Sequence, residues 1–193
     1  MELLIAGLTL FISGHSIRLI APQWRFQQIH KLGDKRWKLL FSMIAATALA
    51  LMIIGYNSAR QHPHWLWLPP LWTRHLAALL TLPATLLIIA SQIPGNRLQS
   101  TLRHPMYAGL VLWAMAHLLA NGGVHDLIFF GALLLWSVSG LWISVQRDRR
   151  LNNPAPAYLG LQRDLLTLGA GLAGWVVLAL WLHALLIGVA PLA

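Results

Sequence analysis

The sequence contains no cysteine. That absence excludes disulfides, thiolate-bound zinc, iron–sulfur clusters, thiolate-ligated haem and covalent haem attachment through a CxxCH pair. Any metal held by this chain must use histidine. Charge is scarce as well: 10% of the residues are DEKR, where a soluble domain carries about a quarter, and only 5 of 193 are acidic. In place of charge, 58% of the chain is AVILMFWYC, which is the composition of a membrane protein. About six spans of roughly 20 apolar residues fit in this length and leave little for a soluble domain, so a site must lie among the spans or on short loops.

Lysine and arginine number 14, and the net charge is +9. A basic excess can signal nucleic acid, but that needs a stripe on a soluble element. Here the basic residues sit between apolar runs, so no nucleic-acid partner is expected and the lipid bilayer is. Apolar runs cover 2–20, 39–56, 75–93, 105–120, 127–145 and 168–189. Runs of this length without barrel-strand alternation predict helices. The expected fold is all-α, an integral membrane bundle of six transmembrane helices forming one domain over residues 1–193.

Twelve of the 14 basic residues fall in alternate loops: Arg18 to Lys38 after the first run, Arg97 and Arg103 after the third, Arg147 to Arg163 after the fifth. Arg60 and Arg74 flank the second loop. The positive-inside rule then places these three loops in the cytoplasm and both termini outside, in the periplasm of a bacterial inner membrane. The first run lacks a basic n-region and a small-residue cleavage site, so it is expected to remain as a span. Residues 61–72 hold Trp65, Trp67 and Trp72 with Pro69-Pro70, which suits an irregular loop on the outer surface.

The nine histidines separate by expected depth. His30, His62, His64 and His125 fall in loops and are expected to be solvated or interfacial. His75 reads as an interfacial anchor and His183 as a packing histidine bonded to a neighbouring helix. His15 and His117 lie inside spans, where a polar group is a functional candidate. Arg18 follows His15 by one helical turn on the same face. Arg103-His104-Pro105 opens the fourth span with proline at the first helical position. Its unpaired backbone N–H groups and Arg103 suit a propionate, phosphate or carboxylate. Two deep imidazoles without thiolate or a carboxylate cluster suit a b-type haem better than zinc. By helix rise, His15 sits deeper than His117 by about 10 Å, so His15 with His104 is a competing pair.

The segments GHSIR at 14–18, RHPMYAGLVLWAMAHLLANG at 103–122 and DLIFFG at 126–131 resemble the NnrU family of bacterial membrane proteins. That family is linked to nitrite and nitric oxide metabolism in denitrifiers, and it shares its domain with the plant zeta-carotene isomerase, a haem b enzyme. The resemblance implies haem b held by His15 and His117, with His104 as an alternate ligand or part of a propionate site beside Arg18 and Arg103. It further implies cis–trans isomerisation of an apolar polyene, or a role with a denitrification enzyme as partner. RHPMYAG is also similar to an element of membrane methyltransferases that use S-adenosylmethionine. Those enzymes carry a later Glu pair, and QRDRR at 146–150 lacks it. Methyl transfer is therefore the alternative, together with a non-enzymatic assembly factor for denitrification enzymes.

Overall fold

The computed structural model describes residues 1–192. Along them run α1 (Glu2–Ile20), α2 (Pro22–Leu32), α3 (Asp34–Arg60), α4 (Leu71–Ala90), α5 (Arg97–Leu102), α6 (Pro105–Ala120), α7 (Val124–Leu151) and α8 (Leu161–Val177). A π-helical turn (Leu178–Leu182) then leads into α9 (His183–Ile187). Among the described residues there is no β-strand beyond an isolated bridge between Trp65 and Gly123. A helix satisfies its own backbone groups where no water can, which is why an apolar chain takes this form.

Five helices are long and apolar enough to cross a membrane: α1, α3, α4, α7 and the run Leu161–Ile187. The remaining expected span, α6, is apolar but has only 16 residues. At about 1.5 Å per residue it reaches ~24 Å, short of a hydrocarbon layer of about 30 Å. The chain is thus a multi-pass membrane protein with five long helices and one short apolar one, where the sequence suggested six alike.

Two compact units make up the chain, Met1–His64 and the residues from Trp65 onward. In the first, α1 and α3 pack antiparallel, and small residues set their register. A side chain at Gly55 would collide with the backbone of Leu4, and one at Gly7 with Met52 N at 2.7 Å and Ala48 O at 2.9 Å. Without a hydrophobic drive between helices in lipid, such close backbone approach supplies the dispersion contacts that hold them. The segment between these spans, expected as a basic loop, instead contains α2. Pro22 starts it at a position where a missing N–H costs nothing, and Gly33 at φ 80° ends it. None of its residues is buried.

In the second unit α6 packs against α4 and α7, and α4 also packs against α8. Gly109 brings α6 onto α4, where an added side chain would meet Ala84 O at 2.8 Å. Tyr107 contacts Trp136 at 5.6 Å and Trp113 contacts Phe130 at 5.2 Å, which makes α6 and α7 antiparallel. The Trp175 Nε1–H donates to Thr81 Oγ1 at 3.1 Å and ties α8 to α4. Ahead of α4, Pro70 is extended and caps the helix, so the proline pair does break regular structure as expected. The N–H groups of Leu66 and Trp67 both donate to Gly122 O, at 2.8 and 3.3 Å, while Trp65 and Leu66 stay exposed.

Candidate functional site: two anchored imidazoles and a polar clasp

His15 and His117 occupy equivalent local settings in different units. On α1 the His15 Nδ1 lies 2.8 Å from Phe11 O, and on α6 the His117 Nδ1 lies 2.8 Å from Trp113 O. A carbonyl only accepts, so each Nδ1 carries the proton and each Nε2 carries the lone pair. The residue four positions earlier is aromatic in both cases and packs on the imidazole: Phe11 at 4.0 Å from His15, Trp113 at 4.5 Å from His117. A second aromatic comes from the adjoining helix, Phe41 at 5.1 Å from His15 and Phe130 at 4.6 Å from His117. Ring orientation and tautomer are therefore set by the helix that carries each histidine. Arg18 stands exposed in the last turn of α1, one turn beyond His15.

Arg103 and His104 are brought together at the start of α6 and meet Asp148 on the last turn of α7. His104 Nε2 donates to Asp148 Oδ2 at 3.0 Å, and Arg103 Nη1 donates to Asn153 O at 2.9 Å while lying 3.8 Å from the same Asp148 oxygen. Asn153 Nδ2 completes the clasp by donating to Asp148 Oδ1 at 3.0 Å. Arg103 adopts φ 62°, a left-handed conformation that a non-glycine residue holds only where its surroundings require it. The turn at Arg103 lets one residue face Asn153 and the next reach Asp148. A cavity of about 500 Å³ opens beside the clasp, lined by Arg103, Arg149, Asn152 and Asn153 with Asp148 and Val145. The acidic group that Arg103 faces in this structure is Asp148, a residue of the chain itself.

A second polar tie joins the start of α5 to the start of α8. The Arg97 N–H donates to Asp164 Oδ1 at 2.7 Å and the Tyr158 hydroxyl to Asp164 Oδ2 at 2.9 Å. That hydrogen bond to a carboxylate raises the Tyr158 phenol above its ordinary value.

Two histidines depart from the sequence reading. His125, expected as a loop residue, is 3% exposed and lies 3.4 Å from Asp126, itself 2% exposed. The cause is the abruptness of the connection: Gly123 N donates to the Asp126 side chain at 2.9 Å, which fixes Gly123 as the N-cap and starts α7 immediately after the Gly pair. His183, expected to bond a neighbouring helix, donates from Nδ1 to Val189 O at 2.7 Å, within its own terminal segment. Its ring is 6.4 Å from that of His117, with planes 21° apart. The sequence singled out neither Asp148 nor His183 as a partner of its candidate residues. The Asn152-Asn153 pair after a charged helix end was the available signal for the first, and the second left none.

Among the described residues no cluster of three or more His, Asp or Glu gathers as an all-protein metal centre would require. No curated protein and no solved structure matches the chain. The family model described as NnrU protein matches residues 3–191, nearly the whole length, and the chain belongs to the NnrU family.

Proposed function

We propose that this chain is a haem b protein of the bacterial inner membrane, with His15 and His117 as axial ligands and Arg18, Arg103 and His104 serving the propionates. The observation that carries this reading is the shared anchoring of the two imidazoles, each donating Nδ1–H to the carbonyl four residues earlier at 2.8 Å. Metal-ligating histidines characteristically donate their other ring N–H to such an acceptor, which fixes the ring and makes Nε2 the better donor. Of the alternatives for the second imidazole, His104 fits less well, because its Nε2 is engaged by Asp148 at 3.0 Å.

Bound haem would supply a redox-active iron with an exchangeable axial position. The chain's part is to orient the imidazoles through Phe11 and Trp113, to exclude water with apolar helices, and to offer guanidinium donors to carboxylates. An apolar polyene is the substrate class such surroundings suit, and cis–trans isomerisation is the reaction proposed for it. The same haem could instead serve redox or nitric oxide sensing beside a denitrification enzyme. Expression in a carotenoid-producing host separates the two: a changed cis-to-trans ratio supports the isomerase, and an unchanged ratio with haem present supports sensing.

A further inference from the structure

Helix α2 is joined to two long apolar helices, α1 and α3, by Ala21 and Gly33 alone. At about 1.5 Å per residue its 11 residues reach ~16 Å, so it stays near the membrane boundary along its whole length. The first unit gives it little cover: none of its residues is buried, Phe26 is 69% exposed, and Trp24 and Leu32 are exposed as well. Trp24 meets the buried Trp37 edge-on at 6.1 Å, which docks the helix on the first turn of α3. A helix this short is marginal in water without further packing. Pro22, Phe26 and Ile29 fall at i, i+4 and i+7 and share one face, while Gln27 and Lys31 lie on the other side.

Charge points to the same surroundings. From Ala21 to Lys38 the only acidic residue is Asp34, and it lies 2.6 Å from Lys38. Arg25, Lys31, Lys35 and Arg36 therefore stand in that segment with no carboxylate of their own. Exposed aromatic rings beside such cations are satisfied together by an anionic headgroup layer, where rings enter the acyl boundary and cations meet net negative charge. We infer that α2 and the turn at Gly33 form an in-plane membrane anchor selective for anionic phospholipid, with Phe26 entering the acyl boundary and Arg25, Lys31, Lys35 and Arg36 meeting the headgroups. This surface uses none of the residues assigned to haem, so it stands or falls apart from that reading.

The test uses the full chain in lipid nanodiscs. Because the chain has no cysteine, Gln27→Cys creates a single labelling site on the polar side of α2 for a fluorophore. Quenching is then measured with phosphatidylglycerol or phosphatidylcholine carrying the same nitroxide high on the acyl chain, at equal mole fractions in a phosphatidylcholine bilayer. Symmetric discs make the result independent of the orientation of the protein. The labelled parent should associate with phosphatidylglycerol more strongly, on the scale of one cation at an anionic surface, roughly five-fold. That preference should fall to parity when Arg25, Lys31, Lys35 and Arg36 are all replaced by Gln, and should persist when Arg25 and Arg36 are replaced by Lys. Salt makes the same test on the parent without mutation, since at about 1 M the screening length is only about 3 Å and the preference should vanish. Phe26→Ser should weaken quenching by both lipids and leave their ratio unchanged. Equal quenching by the two lipids in the parent, quenching by neither, or a preference that survives both salt and the fourfold Gln variant would overturn the proposal.

Discussion

His104 Nε2 donates to Asp148 Oδ2 across 3.0 Å, joining residues 44 apart in sequence at the start of α6 and the end of α7. Both side chains are largely buried, at 17% and 14% exposure, and the same oxygen lies 3.8 Å from Arg103. Hydrogen bonds to charged groups contribute about 1.5–3 kcal/mol, so His104→Ala and Asp148→Ala should each lower stability by that order. Because they remove one interaction, the double variant should cost less than the two losses combined, with a coupling of about 0.5–3 kcal/mol. Denaturant unfolding in mixed micelles measures this, and strictly additive losses would show that the contact contributes nothing.

The α1–α3 pair rests on close backbone approach at Gly55. Gly55→Val should force the helices apart at Leu4, at a cost of about 1–3 kcal/mol or more. Gly14 is the control on the same interface, since a side chain there would meet only Ile44 Cγ2 at 3.9 Å, an ordinary contact. Thermal melts in detergent should therefore show Gly55→Val strongly destabilised and Gly14→Ala close to the parent. Equal melting of all three proteins would remove the small-residue register from the account.

Orientation is the third expectation, resting on basic residues confined to alternate loops. An alkaline phosphatase reporter fused at the C-terminus should be active, and one inserted after Asn153 should be inactive. The opposite pattern would turn the Arg103–Asp148 clasp to the outer surface.

Hydropathy makes the spans legible because lipid exposure is written directly in composition. The bounds of α6 are legible too, since Pro105 and the Asn121-Gly122-Gly123 turn are local punctuation. Helix α2 is not, because its residues PQWRFQQIHKL are mixed in polarity and a search for apolar runs passes over them. Burial of His125 was hidden by the same Gly pair that marked the turn: Gly123 serves as the cap of the next helix, leaving no loop for His125 to occupy. The clasp lay beyond sequence reasoning for another cause. Asp148 sits in a run of charges that reads as a solvated helix end, and only the antiparallel packing of α6 on α7 carries it to the RHP turn. Anchoring of His15 and His117 by their own helices follows from the four-residue spacing to Phe11 and Trp113, but the direction of each ring emerges only from the side-chain conformations.

Whether the imidazoles of His15 and His117 bind haem iron is read from the absorption spectrum of the purified chain expressed with haem supplied. The parent protein should show a low-spin, six-coordinate haem b spectrum. That spectrum should be lost or converted in His15→Ala and in His117→Ala, with both variants still recovered from the membrane fraction. A parent protein that carries no haem under these conditions, or two variants whose spectra match the parent, would contradict haem ligation by this pair.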